Sequence, residues 1–247
     1  MGVPVISLPD DLILGRGTHG FFDDFYEFTS GDEWTSIESD SGSSTSLQQS
    51  VGGQLDIIAG TTNENEVYLY RTAETFLTAE DKPMVFEARI SWAEINTDDS
   101  NVIFGAWNAV AANDLADAGA GPRSSPATDG FMFFKEDGQT LWSVESSDGA
   151  DAAATRTTTQ LTALNSDDGV DHTAAPGATT WQTLRIEASP QSSTKQDVAY
   201  FIDGTLVKKH NMSYTTPTEM TVCIGAKCGS ANTLTVQIDY IGGYQVR

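Results

Sequence analysis

Basic residues are scarce in this sequence. It has 13 Lys and Arg against 35 Asp and Glu, a formal charge of -22. Binding a nucleic-acid backbone needs clustered Lys and Arg to neutralise phosphates, so nucleic acid is excluded as an expected partner. Anionic membrane surfaces are excluded on the same ground. Long hydrophobic runs are also missing. The purely apolar stretches last a few residues, as at Phe131–Phe134, against the roughly 20 that cross a bilayer. The N-terminus lacks a basic leader, Pro4 and Pro9 interrupt its apolar part, and Asp10 and Asp11 follow. It does not read as a secretory signal. Ile6 stands where a myristoylation pattern wants Ser or Thr. The expectation is synthesis in a cytoplasm, without export.

Cysteine is nearly absent. Cys223 and Cys228 are too few for a disulfide framework. Their spacing allows one small disulfide across a turn. The plainer reading is two reduced thiols, one on a strand and one in the loop after it. Zinc needs further ligands, and His19, His172 and His210 show no ligand spacing with the cysteines. "GRGTHG" at Gly15–Gly20 is neither a P-loop nor a dinucleotide fingerprint. It reads as a flexible joint.

What the chain does have is strand signal. Short runs rich in β-branched and aromatic residues are bounded by Gly, Asp, Asn or Pro. In "TLRIEA", Leu184 and Ile186 share one face, Arg185 and Glu187 the other. In "TLTVQIDYI", the same alternation places Tyr240 with Leu234, Val236 and Ile238. Asp203-Gly204 between two such runs predicts a type I′ hairpin, because both residues accept positive φ. No segment sustains a 3.6 period. Two irregular stretches, 108–129 and 147–179, read as long loops, the second with a short strand near Thr157–Leu164. About eleven strands in 247 residues predict two antiparallel sheets packed face to face.

The order of these pieces carries a resemblance. "FFDDF", Trp34, "GGQLDI", "MVFEARI", "WQTLRIEAS", "QDVAYFIDGTLV" and the terminal "LTVQIDYIGGYQVR" resemble the concanavalin A-like (laminin-G-like) jelly-roll superfamily. The resemblance implies an all-β, two-sheet antiparallel jelly-roll β-sandwich over residues 21–247. The superfamily includes lectins, laminarinase-type glycoside hydrolases and virion surface proteins, so it speaks to fold before function. Retaining hydrolysis needs two carboxylates about 5–5.5 Å apart, which those hydrolases draw from a Glu-x-Asp-x-x-Glu strand. The nearest strand here carries Glu87 and Glu94, with Arg89 and Ser91 in place of further acids. Seven residues apart on a strand, Glu87 and Glu94 face opposite ways. The expectation is no catalytic residue, with both glutamates ordinary solvated positions. Asp98, Asp99 and Asn101, and Asp167, Asp168 and Asp171, are candidate calcium ligands. Neither set matches a calcium-loop pattern, and both read as solvated acidic loops. No metal or cofactor is expected. Trp34, Trp92, Trp107, Trp142 and Trp181 are candidates for stacking on sugars, but their setting in strand-like runs favours core packing.

Residues 1–20 read as an extended arm. Val3, Val5, Ile6, Leu8, Leu12, Ile13 and Leu14 make it too apolar for a solvated tail, and Pro4 and Pro9 keep it extended. Either it packs on its own domain or it docks on another chain with strand-like hydrogen bonds. With the resemblance, the expectation is a docking arm whose seven apolar residues bind a partner. The protein would be a non-catalytic phage head decoration or cement protein on the outer capsid surface, made in the host cytoplasm. Its partners would be the major capsid protein or other virion subunits, and it would form a homo-oligomer, with a trimer fitting such a role. The alternative is a carbohydrate-binding module, then a laminarinase-type hydrolase.

Overall fold

The computed structural model describes residues 17–38, 41–48, 52–72, 76–79, 81–93, 98–108, 110–112, 129–148, 156–174, 180–214 and 217–247. They form two antiparallel sheets. The first is built from β1 (Thr18–Asp23), β3 (Ser43–Leu47), β4 (Leu55–Ala59), β7 (Met84–Trp92), β12 (Gln182–Ser192), β13 (Lys195–Ile202), β14 (Thr205–Ser213) and β16 (Thr235–Val246). Its order is β14-β13-β12-β7-β16-β4-β3, with β1 also on β16. The second holds β2 (Trp34–Ile37), β5 (Glu66–Arg71), β6 (Phe76–Leu77), β8 (Ser100–Trp107), β9 (Gly130–Lys135), β10 (Ser143–Ser147), β11 (Arg156–Gln160) and β15 (Glu219–Cys228). Its order is β11-β10-β9-β8-β15-β5-β2, with β6 also on β15. Sequence neighbours often sit in different sheets, as a jelly roll requires.

The alternation read in β12 holds. Leu184, Ile186 and Ala188 are buried, while Arg185 and Glu187 are partly exposed on the other face. Asp203 and Gly204 both take positive φ, 49° and 80°, and join β13 to β14 with Ile202 opposite Thr205. A short strand, β11, lies in the second long loop region as expected. One expectation fails. A register shift between Ile238 and Tyr240 pairs Ile238 with Ile90 but Tyr240 with Arg89. Tyr240 therefore joins the outer face, away from Val236 and Ile238. The last residues of the glycine-rich run also differ from a free joint: Thr18, His19 and Gly20 pair with Val246, Gln245 and Tyr244.

The interior between the sheets is aromatic. Trp92 meets Trp142 edge-on at 5.3 Å between centroids, and Phe133 meets Tyr200 in the same way. A polar chain crosses it. Ser146 Oγ on β10 lies 2.7 Å from the Tyr200 hydroxyl on β13 and 3.1 Å from His210 Nδ1 on β14. Thr159 Oγ1 on β11 lies 3.0 Å from His210 Nε2. Both imidazole nitrogens thus find a hydroxyl without a charge on the ring.

Burial, helped by the Lys208 charge and opposed by Asp167, lowers the His210 pKa from 6.5 to about 4. The unfolded chain takes up this proton as pH falls through 6.5, whereas the folded protein resists until about 4. The stability is therefore present above pH 6.5 and lost between 6.5 and 4. The loss is about 3 kcal/mol. Urea unfolding of wild type and His210→Gln across this range should show the gap between them shrinking toward acid. Parallel curves would contradict a neutral buried imidazole.

Candidate functional site

The seven arm residues, Val3, Val5, Ile6, Leu8, Leu12, Ile13 and Leu14, lie outside the described residues, as does Glu94. Glu87 is not a solvated residue. It is 8% exposed, on the outer face of the first sheet, and the Tyr240 hydroxyl donates to its Oε1 at 2.8 Å. Burial first, then the Glu87 charge, push the Tyr240 phenol above its ordinary pKa. Glycine at 242 opposite Glu87 leaves the space that Tyr240 and Tyr244 flank.

In the first acidic loop the engaged oxygens are backbone carbonyls and the Asn101 amide. The Lys135 ammonium is 1% exposed and donates to the carbonyls of Asp98 and Ser100 at 3.0 and 2.8 Å. Asn101 Oδ1 accepts from the Asp137 amide. In the other loop, Asp167 accepts from Lys208 Nζ and the Lys209 amide. Asp168 pairs with His172, which holds its carboxyl below the usual range. Asp171 accepts from the Ala163 amide. Among the described residues, no group of three or more His, Cys, Asp and Glu is placed to hold a metal. Of the tryptophans, Trp34, Trp92, Trp107 and Trp142 are buried, and Arg89 lies over the ring of Trp181 at 4.9 Å. Cys223 and Cys228 are both buried, free thiols on one strand. Five residues apart, they face opposite ways, Cys228 into the main core and Cys223 into a second cluster.

That second cluster covers the outer face of the second sheet. Tyr68, Ile103, Trp107, Met132 and Cys223 have no exposed surface, and Phe134 is 2% exposed. Ile37, Tyr70 and Val110 pack against them. The same face also carries two buried carboxylates, Glu66 and Glu145, 1% and 2% exposed, which accept from the Tyr68 and Thr158 hydroxyls.

An open cleft lies beside β1 and β2. It measures about 530 Å³ and is lined by Phe22–Asp24, Tyr26–Thr29 and Asp32–Trp34. The run Phe21–Phe28 builds it by sending side chains alternately inward and outward. Phe21 and Phe25 are 7% and 1% exposed, while Phe22 and Tyr26 are 47% and 72% exposed. Asp23 fixes the corner: its carboxylate accepts from the Phe25 amide and from Trp34 Nε1, both at 2.8 Å. Phe25 takes φ 51°, an unfavourable conformation for a bulky residue, held by packing its ring on Trp34. Behind the wall, Arg71 donates to Glu33 at 2.7 Å and lies over the Phe21 ring at 4.6 Å. Asp24, Glu27 and Asp32 form no side-chain hydrogen bond or ion pair among the described residues. In the sequence this run is visible only as part of the family pattern. Its interleaved aromatics and acids were the available signal.

No family model and no curated protein matches the sequence. Solved structures do match. The Emp47p carbohydrate recognition domain aligns with a TM-score of 0.59 at 10% identity, over 93% of this chain and 97% of its own. The fold is a concanavalin A-like jelly roll. An endo-1,3-beta-glucanase from Streptomyces sioyaensis gives 0.55 at 10% identity, over 93% and 97%. Peanut lectin gives 0.52 at 10% identity, over 92% and 97%. At such identities the likeness concerns this fold alone.

The cleft depends on close backbone approach at Gly53. A Cβ there would lie 2.2 Å from the Asp24 carbonyl oxygen, and its φ is +68°. Gly53→Ala should therefore destabilise the protein by roughly 1–3 kcal/mol and increase hydrogen exchange at the Asp24–Tyr26 amides. Unchanged exchange there would show that Gly53 does not hold the cleft wall.

Proposed function

We propose that this chain is a non-catalytic structural protein of a phage particle, a head decoration or cement protein that binds the outer capsid surface. The observation that carries the non-catalytic part is the strand Met84–Trp92, which has Arg89 and Ser91 where laminarinase-type hydrolases carry further acids. The virion part rests on the superfamily resemblance and on the apolar arm sequence. The partner is the major capsid protein or another virion subunit, and the protein bridges neighbouring subunits as a homo-oligomer, for which a trimer is suited. Synthesis takes place in the host cytoplasm.

A second reading is a carbohydrate-binding module. The exposed rings of Phe22 and Tyr26 beside carboxylates favour it, and two of the similar structures are a carbohydrate recognition domain and a lectin.

Co-sedimentation of the full chain and of a variant lacking residues 2–14 with capsids separates the two. The first reading expects the full chain to bind at a fixed ratio to the major capsid protein and the truncated chain to stay in solution, with an unchanged circular dichroism spectrum. Equal binding by both removes the arm from docking. Glycan binding without capsid binding favours the second reading. New reducing ends released from β-glucan would overturn the non-catalytic assignment.

A further inference from the structure

We propose that the cleft beside β1 and β2 receives an arginine or lysine side chain presented by a partner protein, seated against the Phe22 and Tyr26 rings and the Asp24, Glu27 and Asp32 carboxylates. This deepens the docking reading by naming the partner's chemistry. Three observations carry it. First, among the described residues the cleft lining contains five carboxylates, Asp23, Asp24, Glu27, Asp32 and Glu33, and no Lys or Arg. A neutral sugar gains little from such a field, whereas a cation gains from every member. Second, the two rings that face the opening are among the most exposed large apolar side chains of the described residues. An aromatic face beside carboxylates attracts a guanidinium or ammonium through its quadrupole.

Third, the same wall already holds a guanidinium from its inner side. Arg71 is 5% exposed. It pairs with Glu33 at 2.7 Å and approaches Asp23 at 4.0 Å. It lies over the rings of Phe21 and Trp34 at 4.6 and 5.4 Å. Asp23, Glu33 and Trp34 also line the cleft. On the outer side, Phe22 and Tyr26 with Asp24, Glu27 and Asp32 repeat this combination of rings and carboxylates without a cation among the described residues. The corner is held by the Asp23 hydrogen bonds and the packed Phe25 ring, so little ordering remains for binding to impose.

The test is calorimetric titration of the full chain with a capped peptide of alternating Arg and Ser, and with the same peptide carrying citrulline for Arg. Two double variants make the same charge change, Asp24→Asn/Glu27→Gln in the cleft and Asp81→Asn/Glu219→Gln outside it. Tyr26→Ala changes no charge. Thermal unfolding verifies that each variant folds. The expected result is Arg-peptide binding weakened at least tenfold by the cleft pair and several-fold by Tyr26→Ala, but less than twofold by the outside pair. The citrulline peptide should not bind. Equal weakening by both pairs, with Tyr26→Ala silent, would reduce the effect to net charge and overturn the proposal. So would Tyr26-dependent binding of laminari-oligosaccharides with none of the peptide. Peptide binding without capsid binding overturns the docking reading and leaves the cleft assignment standing; capsid binding with no peptide binding does the reverse.

Discussion

The register of β16 is the constraint on which the molecule depends. This strand pairs with β7 along one edge, and along the other with β4 through residues 235–238 and with β1 through residues 241–246. The register shift between Ile238 and Tyr240 lies between those two segments. It turns Tyr240 outward onto Glu87 while Ile241 enters the core. The same pairing sets Phe22 opposite Gly242 and Phe21 opposite Gly243. Strand side chains alternate with period two, so a slip of one residue would bury Phe22 and expose Phe21. Phe21 then could not serve as the ring beneath Arg71, nor Phe22 as a wall of the cleft. The cleft is thus a consequence of register at the centre of the first sheet.

The two sheets meet at this corner. Asp23 ends β1 in the first sheet, while Trp34 starts β2 and Arg71 ends β5 in the second. The bond from Trp34 Nε1 to Asp23 and the approach of Arg71 to the same carboxylate join the layers through charge-assisted contacts. At the other end of the sandwich the join is neutral, through Tyr200, Ser146, His210 and Thr159. A neutral chain suits the dry interior, where a charge without a partner is expensive. The charged tie sits at the rim, where water reaches the Glu33 carboxylate.

Period and turn chemistry were legible in the sequence, and long-range pairing was not. Leu184 and Ile186 announced their face, and Asp203-Gly204 announced its hairpin, because both signals are local. The bulge next to Asp239 leaves no local mark, so Tyr240 was assigned the wrong face. The polar strand β3, Ser43–Leu47, gave no strand signal because it gains its place by pairing with β4 rather than by burying apolar side chains. Glu87 looked solvated because it points outward, yet Tyr240 covers it from a strand 153 residues away. The sequence suggests Cys228 in a loop, whereas β15 runs through it. The jelly-roll fold was legible from the order of the pieces. The cleft was legible only as composition, since nothing local says that Phe22 and Tyr26 stay in solvent while Phe21 and Phe25 do not.

Several cations among the described residues are engaged within the chain. Arg71 serves Glu33, Arg89 serves Asp239, Lys208 serves Asp167 and Lys227 serves Glu64. Lys135 donates to the backbone carbonyls of Asp98 and Ser100. Three of the arginines, Arg71, Arg89 and Arg185, also lie over aromatic rings. Each such pairing leaves less positive charge for the surface, where acids exceed bases by 22. Isolated surface ion pairs contribute little to stability, so this arrangement is better understood by what it leaves outside. Unbalanced carboxylates lower the barrier to approach by a basic partner. The cleft adds what the bulk field lacks: a fixed position and two ring faces. Long-range charge selects the sign of the partner, and the rings of Phe22 and Tyr26 select where on the surface its cation comes to rest.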